Sequence, residues 1–305
     1  MISIIVPAYN EEKSIPIFFE ETEKIRHQMT EQFEYIFVND GSKDKTLSVL
    51  KTLYQTNDNV HYIDFSRNFG KEAALLAGLT QAKGEFVAVM DADLQDPPEM
   101  LIEMHKLLTS GEYDVVGTRR VSREGEPPIR SLFARLFYVM INKISSTEMV
   151  DGARDFRLMT RQVVASILEL KEYNRFSKGI FSWVGYKTKY LEYQNRQRVA
   201  GETSWSFWSL LKYSIEGIIN FSNAPLQLAT YAGILSSLTA IISIVIIVIR
   251  TFLFGDAVSG WPSLVSIILL IGGIQLFSLG IIGQYIGKIY LESKKRPIYI
   301  IKDQK

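Results

Sequence analysis

The sequence predicts an α/β domain with a mostly parallel sheet, followed by two membrane-spanning helices. In the first 120 of its 305 residues, short runs rich in β-branched and aromatic residues alternate with stretches whose apolar residues have helical spacing. No charged residue occurs within residues 223–249 or within residues 257–287. Almost all of the charge therefore precedes residue 223, in a part of the chain long enough to bury a core of its own.

Five short runs predict the strands. They are ISIIV (2–6), EYIFV (34–38), VHYIDF (60–65), EFVAVM (85–90) and DVVGT (114–118). The stretches between them, such as EEKSIPIFFEETEKIRHQM and GKEAALLAGLTQAKG, space their apolar residues as helices do. Repeated strand–helix units build a parallel sheet with helices on both faces.

Polar residues that follow the predicted strands indicate where a ligand binds. They occur in PAYNEE, NDGSKDKT, SRNFGK, DADLQD and an RR pair, one group after each strand. In such sheets, ligands bind outside the carboxyl ends of the strands. The sequence lacks GxGxxG after the first strand, and it has no GxxxxGK[ST], HExxH or GxSxG motif. A dehydrogenase, P-loop NTPase, zinc protease or esterase is therefore not indicated.

The composition gives no support to two further classes of protein. The chain has no cysteine, so it has neither a disulfide framework nor a thiolate nucleophile. Its formal net charge of +1 gives no indication of a nucleic-acid partner.

The acidic residues of DADLQD suggest a metal site. Three carboxylates at a strand end repel one another, and a divalent cation with oxygen ligands relieves that repulsion. The alternative is the first turn of a helix, where acidic residues favour the dipole. That alternative accounts for Asp96 and Glu99 but not for Asp91 and Asp93, which directly follow the predicted strand. An EF-hand loop is excluded, because its sixth position would be Asp96 rather than glycine.

The two uncharged stretches predict a membrane hairpin. Each exceeds the roughly 20 residues needed to cross a bilayer, and we expect helices at about 226–249 and 262–287. Buried helices of a soluble protein are the alternative, but they would need a much larger surrounding domain. A basic cluster follows the second helix at residues 288–296, whereas the short loop between the helices holds only Arg250. The loop is therefore expected outside the cell and both ends in the cytoplasm.

Three further segments bear on membrane contact and assembly. PPIRSLFARLFYVMINKI and SFWSLLKYSIEGIINF both have amphipathic helical spacing, which fits either core packing or helices lying on the membrane surface. Gly283 and Gly287 form a GxxxG pattern that could pack within the hairpin or between subunits of a homo-oligomer.

Seven motifs in order carry a family resemblance. They are VPAYNE (6–11), VNDGSKDKT (38–46), SRNFGKEAALLAGL (66–79), DADLQDPPE (91–99), ARDFRLM (153–159), RFSKGIFSWVGY (175–186) and RVAGETSWSFW (198–208). Followed by two membrane helices, this set closely resembles the polyprenyl-phosphate glycosyltransferases of the GT-A type. That family-2 group includes dolichol-phosphate mannose synthase and bacterial undecaprenyl-phosphate glucosyltransferases. The resemblance covers nearly the whole chain.

The resemblance implies an inverting transfer of one sugar, such as glucose from UDP-glucose, to polyprenyl phosphate. It implies a cytoplasmic, Rossmann-like GT-A domain (1–204), a juxtamembrane amphipathic helix (205–222), a multi-pass anchor in the cell membrane (223–290) and a cytoplasmic tail (291–305). For the implied site, the nucleotide sugar is contacted by Pro7, Tyr9, Glu11, Asp40, Lys71 and Asp91, and a Mg²⁺ or Mn²⁺ is held by Asp91, Asp93 and Gln95. The resemblance implies catalytic roles for Asp93, Arg119 and Asp155. It implies contacts with the lipid phosphate from Arg130, Arg157, Arg198 and Ser204.

Two other functions stay open at this point. One is a glycosyltransferase with a different membrane acceptor, such as a diacylglycerol or a polysaccharide. The other is a non-catalytic membrane scaffold that binds a sugar nucleotide.

Overall fold

The secondary structure alternates strands and helices through the first 120 residues. The computed structural model describes residues 1–120, 152–194, 224–254 and 260–305, with isolated positions between these ranges. The strands in this part of the chain are β1 (Ile2–Ala8), β2 (Phe33–Asn39), β3 (Val60–Phe65), β4 (Phe86–Val89), β5 (Val115–Arg120), β6 (Ala153–Thr160), β7 (Thr188–Tyr193) and β8 (Ile301–Gln304). The helices are α1 (Ser14–Arg26), α2 (Thr46–Thr56), α3 (Lys71–Gln81), α4 (Met100–Thr109), α5 (Arg161–Glu169), α6 (Ser177–Trp183), α7 (Ala224–Phe254) and α8 (Trp261–Ser293).

The strands form one sheet in the order β7-β5-β6-β4-β1-β2-β3-β8. Neighbouring strands are parallel from β4 through β3, and β5 is parallel to β7. Strand β6 lies antiparallel between β4 and β5, and β8 lies antiparallel beside β3. The predicted mostly parallel α/β sheet is confirmed. The strand order reverses between β1 and β4, which is where open α/β sheets bind ligands.

Alternate residues of the central strands pack into two apolar layers. Ile4 and Val6 of β1 face one layer, which also contains buried residues of α1, α2 and α4. Ile5 faces the other layer, together with α3, α5 and α6. Helix α3 lies very close to β1, because a Cβ added at Gly78 would lie 2.2 Å from Cγ2 of Ile5. This close packing fixes the position of α3, whose first residue, Lys71, lies at the carboxyl edge of the sheet.

Helices α7 and α8 are long, apolar and in contact with each other. Their lengths of 31 and 33 residues correspond to more than about 45 Å at 1.5 Å per residue. Large apolar side chains on both helices face outward, including Phe252 and Leu276. Segments Ala224–Ser243 and Leu270–Ser293 are long and apolar enough to cross a membrane. The predicted helices at about 226–249 and 262–287 both lie within these observed helices.

The last residues of the chain return to the α/β domain. Glu292, in the final turn of α8, accepts hydrogen bonds from the backbone N–H groups of Tyr173 and Asn174 at 2.9 and 3.1 Å. Beyond it, β8 adds to the outer edge of the sheet. The segment predicted as a separate tail, residues 291–305, therefore contributes a strand to the sheet.

Candidate active site

The loops after β1 and β2 are tied together at the carboxyl edge of the sheet. The backbone N–H of Asn10 donates to Oγ of Ser42 at 2.9 Å, and Oδ1 of Asn10 accepts from the N–H of Lys43 at 2.8 Å. The N–H of Glu11 donates to Oγ1 of Thr46 at 2.9 Å. Asn10 adopts a left-handed conformation (φ 58°), which is uncommon for a residue other than glycine. These bonds give the edge of the site a defined shape.

Three predicted nucleotide contacts lie on or near the loop after β1. Pro7 is half-buried near the end of β1, and Tyr9 is 41% exposed just beyond it. Glu11 accepts a hydrogen bond from Oγ of Ser14 at 2.6 Å, at the start of α1. The open face of Tyr9 is suited to stacking against a base, whereas Glu11 also orders the loop.

Asp40 holds the loop after β3. Its carboxylate is 4% exposed and accepts hydrogen bonds from the backbone N–H groups of Phe69 at 2.6 Å and of Gly70 at 2.9 Å. Burial raises the pKa of Asp40, and the two N–H donors oppose that rise. Asp40 therefore has a structural role in addition to the predicted contact with the base.

Lys71 joins the two acidic motifs at the point where the strand order reverses. Its ammonium lies 2.7 Å from Oδ1 of Asp91 and 2.5 Å from Oδ2 of Asp155. Burial opposes charge on both partners of the Lys71–Asp155 pair. The attraction between Lys71 and Asp155 outweighs this effect of burial, and Asp91 adds to the attraction on Lys71. The pKa of Lys71 is therefore raised and the pKa of Asp155 is lowered. The structure thus brings together three residues predicted to lie in the site.

The loop after β4 places Asp93 and Gln95 close together. Asp93 is 6% exposed, and its Oδ1 accepts the N–H of Gln95 at 3.1 Å. Leu94, between them, is held in the left-handed region (φ 54°), an unfavourable conformation for a bulky residue. Oε1 of Gln95 accepts a hydrogen bond from Nη2 of Arg154 at 3.2 Å.

The donor chemistry of this loop fits a hard divalent cation. Carboxylate and amide oxygens are the ligands that Mg²⁺ and Mn²⁺ prefer, and the ammonium of Lys71 shows that Asp91 already attracts positive charge here. Within the described ranges, no group of three or more His, Cys, Asp or Glu side chains lies close enough to hold a metal by itself. Protein oxygens here would fill only part of a coordination sphere.

Asp96 does not lie in a helical turn, which corrects one expectation from the sequence. Helix α4 begins at Met100, and Asp96 is instead 4% exposed beside Arg154 and Tyr193. Nε of Arg154 lies 3.2 Å from Oδ1 of Asp96, which also accepts the hydroxyl of Tyr193. Burial raises the pKa of Asp96 despite these donors. The helix begins only after Pro97 and Pro98, because a residue that directly precedes proline, as Asp96 does, is disfavoured in the helical conformation.

Arg154 and Tyr193 are site residues that the sequence reasoning missed. Arg154 contacts both Gln95 and Asp96, and so links the start of β6 to the loop after β4. Arg154 could have been predicted from the sequence, because it directly precedes Asp155 in the ARDFRLM motif. Tyr193 ends β7 and had no comparable signal.

The two described arginines with predicted phosphate roles differ in exposure. Arg119 is near the end of β5, after a register shift between Gly117 and Arg119, and its side chain is 43% exposed. Its Nη1 lies 3.8 Å from Glu192. Arg157 is 4% exposed, stacks over the ring of Phe181 at 3.8 Å and donates to the carbonyl of Arg154 at 2.9 Å. Arg119 can therefore reach a ligand, whereas Arg157 as placed supports the strand.

The remaining predicted lipid-phosphate contacts, Arg130, Arg198 and Ser204, lie outside the described residues. The predicted juxtamembrane helix at 205–222 falls almost wholly outside them as well.

Comparison with known proteins identifies a family and several similar proteins. The family model "Glycosyl transferase family 2" matches residues 3–168. The chain is 42% identical to the prophage bactoprenol glucosyl transferase homolog of Escherichia coli (strain K12), over 99% of this chain and 98% of that one. It is also 42% identical to the bactoprenol glucosyl transferase of Shigella phage SfV, over 100% and 99% of the two chains.

Solved structures of similar shape share little sequence with this chain. Glucosyl-3-phosphoglycerate synthase from Mycobacterium tuberculosis, in complex with Mn²⁺, UDP-glucose and phosphoglyceric acid, aligns with a TM-score of 0.48 and 19% identity. The alignment covers 72% of this chain and 77% of that one.

Proposed function

The chain belongs to glycosyl transferase family 2, and on that premise we propose that it transfers one sugar from a nucleotide-sugar donor to polyprenyl phosphate, with inversion at the anomeric carbon. The activity class follows from the family: the chain is a glycosyltransferase. Relatives named bactoprenol glucosyl transferase, similar over their whole length, support the lipid acceptor and favour glucose as the sugar.

The observation that carries the proposal is the cluster of Lys71, Asp91 and Asp155. It lies at the carboxyl edge where the strand order reverses, on a chain that also has two membrane-length helices. A charged, partly exposed cluster at this edge suits a diphosphate donor. The apolar helices suit an acceptor that is itself embedded in lipid.

A divalent cation fits the donor side of this proposal. Asp91 and Asp93 would hold it, with the amide oxygen of Gln95 available if Arg154 gives up its hydrogen bond. When bound, Mg²⁺ or Mn²⁺ would neutralise the charge that develops on the leaving diphosphate. The diphosphate oxygens would complete the coordination that the protein leaves open.

The remaining residues of the site bind and orient the donor. Tyr9 and the loop held by Asp40 would contact the nucleoside, and Arg119 would face phosphate; the exposure of Tyr9 and Arg119 supports these roles. A planar guanidinium suits phosphate because it can donate two parallel hydrogen bonds. Lys71 keeps Asp155 charged and holds it close to Asp91 before the donor arrives.

The acceptor determines what the protein must do in the transfer. One bond breaks between the anomeric carbon and the donor diphosphate, and one forms from a phosphate oxygen of the lipid to the same carbon. A phosphate monoester is largely dianionic at neutral pH, because its second pKa is about 6. It can attack without losing a proton, so the site needs to position the anion in line with the leaving group.

The charge distribution supports a cytoplasmic catalytic domain and a membrane-embedded hairpin. Lys288, Lys294, Lys295 and Arg296 lie at the end of α8 that adjoins the catalytic domain. Basic residues are enriched on the cytoplasmic side of membrane helices.

A homo-oligomer that packs through Gly283 and Gly287 stays a prediction.

A transfer assay tests the proposal directly. Membranes containing the full chain would be incubated with Mg²⁺, undecaprenyl phosphate and radiolabelled UDP-glucose, and label would be measured in the organic phase. UDP-N-acetylglucosamine and GDP-mannose serve as alternative donors, and diacylglycerol as the alternative acceptor. Label that enters lipid with diacylglycerol but not with undecaprenyl phosphate would contradict the proposed acceptor. The Asp91→Asn variant should give little label with any donor.

A further inference from the structure

The C-terminal strand lies against the strand that leads into the nucleotide loop. We use the name C-terminal clasp for residues 298–305, and nucleotide loop for residues 66–70, which connect β3 to α3. Within the clasp, β8 pairs with β3, with Ile63 opposite Gln304 and Phe65 opposite Ile301. The N–H of Ser66, the first residue of the nucleotide loop, donates to the carbonyl of Ile300 at 3.0 Å. The backbone pairing therefore extends into the loop itself.

Side chains reinforce this backbone pairing. Tyr299 stacks on Phe65 with ring centroids 5.0 Å apart and an angle of 14° between the rings. Phe65 in turn meets the ring of Phe69 edge to face at 5.7 Å. Asp303 accepts the hydroxyl of Tyr62 at 2.8 Å and lies 3.1 Å from Nζ of Lys51. A row of three rings thus runs from the clasp into the nucleotide loop.

On its other side, the nucleotide loop is held by the end of β2. Asp40 accepts the N–H groups of Phe69 and Gly70. Gly41 adopts a left-handed conformation (φ +64°), and a Cβ there would lie 2.3 Å from the backbone carbon of Arg67. The backbones of the two loops are therefore in direct contact. The nucleotide loop is enclosed between Asp40 and Gly41 on one side and the clasp on the other.

This placement affects two parts of the site. Asp40 is the predicted contact for the nucleoside, and Gly70 directly precedes Lys71, which bridges Asp91 and Asp155. A displacement of the nucleotide loop would move the backbone donors away from Asp40 and shift the first turn of α3. The clasp follows membrane helix α8 after a connection of four residues, 294–297, so a short stretch of chain joins the end of the anchor to the clasp that holds the nucleotide loop.

We propose that the C-terminal clasp is a positioning element for donor binding, acting through the ring of Tyr299 on the nucleotide loop. The inference rests on the proposed function in one respect, since it takes the loop at Asp40 as the donor nucleotide site. In the part of the chain that the structure describes, the ring of Tyr299 packs on Phe65. Its role is to hold Phe65 and Phe69 in place, so that Asp40 can accept the backbone N–H groups of Phe69 and Gly70.

The test compares Tyr299→Ala with Tyr299→Phe in the full chain. Lys302→Ala is the matched control, because Lys302 lies in the same clasp and is exposed. Steady-state kinetics with UDP-glucose, Mg²⁺ and undecaprenyl phosphate would separate the two substrates. We expect Tyr299→Ala to raise the KM for UDP-glucose roughly tenfold, on the scale of one lost aromatic pair. We expect kcat and the lipid KM to stay within about twofold. Tyr299→Phe should restore the wild-type KM.

Hydrogen exchange gives a second measurement that needs no activity. In Tyr299→Ala, the amides of the nucleotide loop should exchange faster, while those of β1 and β2 keep their protection. Unchanged exchange in the loop, or an unchanged KM for UDP-glucose, would overturn the inference. A loss shared equally between kcat and both KM values would do the same. If instead the wild-type chain labels no lipid, the proposed function fails, and the exchange result still decides whether the clasp holds the loop.

Discussion

The ammonium of Lys71 lies 2.7 Å from a carboxylate oxygen of Asp91, the second residue after strand β4. The same ammonium also contacts Asp155, near the start of the antiparallel strand β6. The ammonium of Lys71 thereby holds together two carboxylates that come from different parts of the sheet. Any divalent ion that binds Asp91 would share or replace this contact.

Lys71→Met should lower transfer activity by about 100-fold or more, as expected when a charge-stabilising group is removed from an active site. The loss of stability should be only about 1 kcal/mol, because the lysine side chain is 38% exposed and its ion pairs are screened by water. Added Mg²⁺ or Mn²⁺ should raise the melting temperature of this variant more than that of the wild type, since the cation would replace the missing charge. Lys83→Met, at an exposed lysine, is the control. An equal response of both variants to the metal would contradict the prediction.

The Lys71–Asp155 pair should make stability depend on pH at the acidic end. The pKa of Asp155 is lowered from its ordinary value of 3.8, so the contribution is present above that value and is lost as pH falls through the folded-state pKa. The pKa of Lys71 is raised from 10.5, so its contribution is complete at any pH below that value. The difference in melting temperature between wild type and Asp155→Asn should therefore be constant from about pH 5 to 9 and shrink below about pH 4. A difference that shrinks between pH 6 and 8 would show that another group is responsible.

The central strands could be predicted from the sequence because their signal is local. ISIIV is apolar apart from Ser3, and EFVAVM is apolar apart from Glu85, as expected of strands covered on both faces. The first lies within β1, and the second contains β4. Strands β6, β7 and β8 were not predicted. β6 carries Arg154, Asp155 and Arg157, and β8 reads IKDQ. Such polar strands are stable only through pairing with neighbours, which no local pattern reveals.

The motifs named the residues of this cluster but not the contacts between them. Asp91, Asp155 and Lys71 could be named as site residues from their motifs, but the contact between Lys71 and Asp155 joins residues 84 positions apart. It depends on β6 lying between β4 and β5, an arrangement that the order of motifs along the chain does not determine. The same applies to the pairing of Arg154 with Asp96.

Asp93→Asn should weaken the binding of Mn²⁺ by about tenfold or more, because affinity for a hard cation depends on the number of charged ligands. Electron paramagnetic resonance of free Mn²⁺ would measure this affinity without any transfer assay. Asp96→Asn should leave Mn²⁺ binding unchanged, since Asp96 faces Arg154 and Tyr193. Asp58→Asn, at an exposed aspartate far along the chain from the motif, controls for nonspecific charge effects. Equal weakening at positions 93 and 96 would argue against the assigned ligands.

The orientation of the hairpin can be tested by labelling, and the chain has no cysteine that would give background. Asp256→Cys lies in the loop that is predicted to face the outside. A membrane-impermeant maleimide should label this variant in intact cells. Asp58→Cys, in the catalytic domain, should be labelled only after the membrane is permeabilised. The reverse pattern would place the catalytic domain outside the cell.

The pH dependence of turnover distinguishes a phosphate acceptor from a hydroxyl acceptor. A sugar hydroxyl must lose its proton as it attacks, so an enzyme that uses one needs a general base. Asp155 is the carboxylate best placed for that role, but Lys71 outweighs the effect of burial and holds its pKa below the ordinary range. So low a pKa makes it a weak base. We therefore expect Asp155→Asn to bind the lipid acceptor less tightly while retaining the wild-type pH profile of kcat. Both profiles should fall below about pH 6, where the acceptor phosphate takes up a proton. A fall in kcat at low pH that is present in the wild type and absent from Asp155→Asn would show that Asp155 removes a proton. A hydroxyl acceptor would then replace polyprenyl phosphate in the proposal.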